Sequence, residues 1–263
     1  MSPDLEDERP PAESRTPASD GRLEPLDDRE RVSRTHRIVA LLEVVLCSDY
    51  PTQAALGATF VALGYQPYVG GELQLGFVAW LSLFDSVLLI ALMVFFLYAH
   101  GQRLRDVFLG HRRVLAEIRF SVLLVLVALG IAFGILATVR RFAPSLHTVE
   151  SNPLEQLMRT PKDAWLFAVV VVVAGGVREE LQRAFLIGRF ERWLGGATFG
   201  AVVTSIAFGA GHLIQGADAM IATGALGAFW AIVYLRRRSV VAPIFSHAGF
   251  NLLQTFQYLL TGR

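Results

Sequence analysis

The sequence predicts an all-α, polytopic transmembrane bundle of about seven spans behind a disordered amino-terminal tail. Three observations carry that expectation. The 263 residues are 53% hydrophobic with a mean hydropathy of +0.46, more apolar content than a soluble surface accommodates. Charges are unevenly spread: from Ala197 to Leu235 only His212, Asp218 and one tyrosine can ionise, and from Ser239 to Gly262 only His247 and Tyr258. Apolar runs near the ~20 residues of a spanning helix recur along the chain.

The tail, residues 1–36, is rich in Pro, Glu, Asp, Arg and Ser and has no apolar period, a composition that does not fold alone. It is long and acidic and lacks an early apolar core, so a cleavable signal peptide is not expected. The first apolar segment, about Ile38 to Gly64, should break near Asp49–Tyr50–Pro51. The second covers about Leu75 to Ala99 with Asp85 near its middle, and the third about Phe120 to Val139. The fourth begins near Ala164 and runs past Gly175–Gly176 into a charged helix ending near Trp193. Three more cover about Phe199 to Ile214, Ala217 to Leu235, and Val240 to Leu260. Residues 37–145 thus form an amino-terminal group of helices and 146–263 a carboxyl-terminal group. No internal repeat supports an inverted-repeat transporter.

Arg103, Arg105, Arg112 and Arg113 follow the second segment, and Arg236, Arg237 and Arg238 follow the sixth. The positive-inside rule makes both loops cytoplasmic, which places the amino terminus inside as well. Arg140, Arg141, Arg159 and Lys162 fit this path badly, because they would lie outside. The net charge of +1 and the absence of a basic, aromatic-rich stripe argue against a nucleic-acid partner. The single cysteine, Cys47, excludes an intrachain disulfide and a cysteine-based metal cluster. It reads as packing.

Ionisable groups at membrane depth need a reason. His36, His100, His111 and His147 fall in tail or loops, where solvation suffices. His212 and His247 lie in otherwise uncharged helices. Either alone is explained by a hydrogen bond between helices; two of them with an acidic pair point to a site. The pair lies in Arg178-Glu179-Glu180-Leu181-Gln182-Arg183, where Glu179 and Arg183, four apart, share a helix face. Phe208 precedes His212 by four residues, and Asn251 follows His247 by four. Helical rise puts Glu179 and His212 each roughly 20 Å from the predicted cytoplasmic ends, so the helices can converge on one polar pocket. Asp85 reads as structural, pairing with a buried donor or lining a cavity, Glu43 as solvated or in interface contact, and Asp218 as a helix cap.

In this pattern the chain resembles the CPBP intramembrane proteases, which include the type II CAAX prenyl endopeptidases and bacteriocin-processing relatives. That family carries Glu-Glu followed by Arg, then Phe-x-x-x-His, then His-x-x-x-Asn. Here they are Glu179-Glu180 with Arg183, Phe208 with His212, and His247 with Asn251. The resemblance spans about Ala164 to Leu260. One departure is that the family places three residues between the Glu pair and the Arg, whereas only Leu181 and Gln182 intervene here. Anchoring on Arg183-Ala184-Phe185-Leu186 puts Arg178 on the first Glu position and Glu179 on the second. Glu179 falls on a Glu position in both alignments and is favoured as the base; its expected pairing with Arg183 counts the other way, and Glu180 stays open.

The resemblance implies hydrolysis of a peptide bond in a membrane-anchored or prenylated substrate, with Arg183 and Phe208 on the substrate side. Glu179 or Glu180 with His212 would activate water, and His247 with Asn251 would stabilise the oxyanion. The same residue types also permit a zinc site of Glu179, His212 and His247 with an open fourth position, although no His-Glu-x-x-His signature is present. An inactive membrane scaffold, or a proton-coupled carrier using Asp85, His212 and His247 as a relay, are the competing classes.

Overall fold

A computed structural model describes residues 28–150 and 153–261. The described chain is mostly helical, with one short hairpin. Helix α1 (Asp28–Leu46) begins inside the expected tail, so residues 28–36 are helical, and the rest of the tail lies outside the described residues. The break after α1 falls where expected. Asp49 takes a positive φ of 82°, and α2 (Tyr50–Ala62) restarts with Pro51 in its first turn, where a missing N–H costs nothing. Strands β1 (Tyr68–Val69) and β2 (Glu72–Leu73) pair antiparallel around Gly70 and Gly71, both at positive φ, as a two-residue hairpin turn requires.

Helix α3 (Leu75–Ala99) matches the second segment to the residue, and α4 (Val114–Phe142) extends the third at both ends. Helix α5 (Pro161–Val170) starts on a capping box: Thr160 Oγ1 accepts from the Asp163 N–H, and the Asp163 carboxylate accepts from the Thr160 N–H, which satisfies two end donors. The chain then continues through a π-helical stretch, Val171–Arg178, into α6 (Glu179–Trp193). Helices α7 (Ala197–Ala210), α8 (Ala217–Arg237) and α9 (Val241–Thr261) follow.

Polarity is inverted relative to a soluble protein. Phe84, Val122 and Phe133 face outward, while Glu43, Asp85, Glu117, Arg178, Glu180, Arg183, Arg189 and His247 are buried. Water on the outside would reverse that arrangement; hydrocarbon enforces it, because a polar group facing lipid has no partner. Helices α3, α4 and α8 are each long and apolar enough to cross a bilayer, and the chain is an integral membrane protein. Among the described residues the other segments do not meet that standard one by one. The first is split at Asp49, and α7 has only 14 residues, about 21 Å of rise against the ~30 Å of a hydrocarbon core.

The arginine loops after α3 and α8 meet at one end of the bundle. Arg112 Nε donates to the Arg237 carbonyl (3.2 Å), and Arg237 forks onto buried Glu117 (2.7 and 2.5 Å). Arg238 forks onto Glu191 at the end of α6 (2.6 and 2.7 Å). His36 stacks on Trp193 at 4.4 Å, which brings the start of α1 to the same end. The 29 residues of α4, about 43 Å, carry Arg140 and Arg141 to the opposite end. There His147 bonds Asp218 at 2.8 Å, and Thr148 accepts from the Ala217 N–H. Asp218 accepts from the Ala219 N–H (3.0 Å), the capping contact the sequence suggested, but His147 is its bonded partner rather than a solvated loop residue.

Small residues set the helix spacing. At Gly209 a Cβ would lie 2.7 Å from the Met220 carbonyl oxygen and 3.0 Å from Gly224 Cα. Backbone atoms cannot rotate aside, so Gly209→Ala should force α7 and α8 apart and cost about 1–3 kcal/mol, read as a lower thermal midpoint in detergent. Gly57→Ala, with open space around it, should be neutral or slightly stabilising. Equal midpoints for the two variants would contradict the close approach.

Candidate active site

The site forms where the chain leaves regular α-helix between α5 and α6. A π-helical turn carries an extra residue and widens the helix, and such turns concentrate at functional sites. Gly175 and Gly176 lie within it and admit α9. A Cβ at Gly176 would sit 2.8 Å from Ala248 Cβ, and one at Gly175 would sit 2.6 Å from Asn251 Nδ2. The widened turn thus brings α9, with His247 and Asn251, against the first residues of α6, Glu179 and Glu180.

Glu180, 1% exposed, is the hub. Arg183 donates to both of its oxygens, Nε to Oε2 at 3.1 Å and Nη2 to Oε1 at 3.2 Å. His247 Nδ1 lies 2.9 Å from Oε1. An ionised carboxylate only accepts, so a proton belongs on Nδ1. The imidazole, 4% exposed, stacks on Trp230 with ring centres 3.8 Å apart, and Trp230 is itself fixed by an indole N–H donated to Ser246 Oγ (3.0 Å). Two contacts thus set the ring's direction. They leave Nε2 facing Glu179 Oε2 at 3.8 Å.

The expected Glu179–Arg183 pair does not form. Both i,i+3 and i,i+4 neighbours share a helix face, and Arg183 takes the i,i+3 partner because Glu180 points into the packed interior. There its guanidinium also lies over the Phe208 ring at 4.7 Å. Glu179 instead accepts from Arg178 Nη2 at 3.3 Å, with its side chain 16% exposed. It lines a cleft of about 300 Å³ shared with Arg178, Arg183, Phe208 and His212.

His212 is not within a helix. Helix α7 ends at Ala210, and His212 stands before the short 3₁₀ turn Leu213–Gln215. Gly209 and Gly211 weaken the helix there, and Gly216 turns the chain at φ 119°. The imidazole keeps its expected neighbour: Phe208 lies edge-on at 4.9 Å, and Nδ1 meets the Phe208 carbonyl at 2.8 Å, a contact that leaves Nε2 as the ring's other polar atom. Glu179 and His212 share the cleft, Glu180 and His247 form its backing, and Asn251 packs one turn beyond His247 beside Gly175.

Several structural residues escaped the sequence reading. Arg178 joins three elements: it pairs with Asp49 at the α1–α2 break, with Asp85 Oδ2 on α3 at 3.0 Å, and with Glu179. Asp85 is therefore the ion-pair partner its position suggested. Glu43 is not solvated; it is 2% exposed and pairs with Arg189 and with His100. The sequence signal was present, since Glu43 and Arg189 both interrupt apolar runs, but nothing local pairs residues so far apart. Cys47 is fully buried. Among the described residues no three His, Cys, Asp or Glu side chains gather as metal ligands.

The Arg178 cluster yields a stability test. Asp85→Leu leaves a buried guanidinium with fewer partners and should cost about 3 kcal/mol. Arg178→Met in the same chain removes the stranded charge and should recover part of that loss. Additive destabilisation of the double variant, measured by thermal unfolding, would contradict the pairing.

Residues 161–253 match the family model described as Type II CAAX prenyl endopeptidase Rce1-like. Comparison with curated proteins and with solved structures gives no match. The matched segment starts at the first residue of α5 and includes Glu179, Glu180, Arg183, Phe208, His212, His247 and Asn251. This carboxyl-terminal segment is similar to the Rce1-like family over about a third of the chain, in agreement with the resemblance of its three motifs to the CPBP proteases.

Proposed function

We propose that the protein is an intramembrane endopeptidase that hydrolyses a peptide bond of a membrane-associated substrate with water activated by Glu179. The observation that supports this most is the chain of contacts from Arg183 through Glu180 and His247 to Glu179 at the wall of a cleft. Both oxygens of Glu180 are engaged, which makes it a positioning group. Glu179 lines the cleft with its side chain 16% exposed and suits the general base. With His212 beside it, Glu179 takes a proton from water as the hydroxyl adds to the scissile carbonyl carbon. The carbonyl π electrons move onto oxygen. His247 donates to that oxyanion, and Asn251 supplies a second donor. The proton held by Glu179 or His212 then passes to the leaving amine as the C–N bond breaks.

The family match supports a carboxyl-terminal prenylated protein as the substrate class, and the apolar cleft wall of Val44, Leu186, Phe190 and Val203 is compatible with a lipid-bearing peptide. The seven-segment path, with the amino terminus cytoplasmic, is part of the same proposal.

Glu179→Gln should fold normally and lose about 10²–10⁴ in kcat on a membrane-delivered peptide. His247→Ala and His212→Ala should also abolish processing, and Asn251→Ala should lose about 10²–10³. Glu180→Gln should reduce activity and lower the thermal midpoint too, because Arg183 and His247 lose a charged partner. Normal cleavage by Glu179→Gln would sink the assignment, and normal cleavage by both glutamate variants would leave a scaffold.

Orientation is open to labelling, because the native Cys47 is buried and a single reporter cysteine can be introduced. A cysteine at Arg236 should react with an impermeant maleimide only after the cytoplasmic face is exposed. Reaction on intact cells would reverse the orientation.

A further inference from the structure

A second concavity, of about 350 Å³, opens beyond the last turn of α3 and is lined by His100, Gln102, Arg103, Asp106 and Arg192. Its position and its polar groups point to one class of ligand, and neither depends on the protease reading. Helix α3 is a spanning helix that ends at Ala99, so the next residues stand at headgroup depth. Arg103 and Arg192 are exposed there. Neither forms an ion pair among the described residues, and Asp106 is the single acidic residue of the lining.

Beneath them Arg189, buried and paired with Glu43, donates from Nη1 to Gln102 Oε1 at 2.8 Å. That bond fixes the Gln102 amide with its nitrogen buried and without a hydrogen-bond partner, and Arg189 Nη2 is in the same condition. A buried donor left unbonded costs about 1–3 kcal/mol. At the rim the two guanidinium groups outnumber the one carboxylate, and an oxyanion reverses that imbalance. At headgroup depth the abundant oxyanion is a phosphodiester, and basic pockets beside spanning helices take such headgroups. The volume suits a headgroup rather than an acyl chain.

We propose that this concavity binds the phosphate of an anionic lipid headgroup, held by Arg103 and Arg192 at the rim with Gln102 at the base. The test uses the full chain in neutral detergent, titrated with short-chain phosphatidylglycerol, short-chain phosphatidylcholine and inorganic phosphate. Phosphatidylglycerol should bind, and each of Arg103→Gln and Arg192→Gln should weaken it roughly five-fold at low salt. The double variant should lose roughly 25-fold, with its lipid-free thermal midpoint unchanged because both side chains are exposed. Phosphatidylcholine, whose choline offsets the phosphate charge, should bind more weakly than phosphatidylglycerol. Equal phosphatidylglycerol affinity in wild type and double variant would overturn the site. Inorganic phosphate binding as tightly as phosphatidylglycerol would overturn the lipid as its ligand.

Discussion

The organisation of the carboxyl-terminal helices depends on one buried carboxylate. Glu180 cannot be carried into an apolar bundle alone, since burying an unpaired charge costs several kcal/mol. Arg183 compensates it from the next turn of the same helix, and His247 reaches it from α9. That second contact constrains the surroundings. It needs α9 against the π-helical turn, which Gly175 and Gly176 allow. It needs Trp230 under the imidazole. It also needs Phe208 and Arg183 pressed against Gly227, where a Cβ would lie 2.9 Å from the Phe208 ring. Helices α6, α7, α8 and α9 are thus tied to a single side chain.

A division of labour between adjacent glutamates follows. Successive helix residues point about 100° apart, so one carboxylate enters the interior while its neighbour reaches the cleft. The interior one is saturated with donors and fixes a histidine. The outer one keeps partial exposure, with Arg178 at 3.3 Å and His247 Nε2 at 3.8 Å. The alignment ambiguity at this string thereby acquires a physical reading: Arg178 stands beside the pair as the counter-charge to Asp49 and Asp85, and it braces the amino-terminal helices against the domain that carries the site. Those helices bear no recognisable motif, yet Asp49 and Val44 line the cleft.

Much of this was legible in the sequence because the bilayer makes hydropathy a direct record of burial. Helix α3 could be read to the residue, α8 to within two, and the break at Asp49–Pro51 followed from proline and a polar pair. The Phe208–His212 contact was legible from i,i+4 spacing alone. Tertiary choices were not. Spacing could not decide between Glu179 and Glu180 for Arg183, because both lie on reachable turns and only packing against Phe208 and His247 separates them. Glu43 looked like an interfacial residue because its partners, Arg189 and His100, lie far away in sequence. The end of α7 before His212 was hidden because apolar composition continues through Leu213 and Ile214 after the helix has stopped.

The most direct measurement is a structure of the full-length protein with a non-hydrolysable peptide analogue bound, its tetrahedral group in place of the scissile carbonyl. The account predicts that one oxygen of that group lies within about 2.6–3.2 Å of the Glu179 carboxylate and another near His247 Nε2, while Glu180 keeps its bonds to Arg183 and to His247 Nδ1. An analogue seated against Glu180, with the Arg183 pair broken and Glu179 turned away, would contradict it.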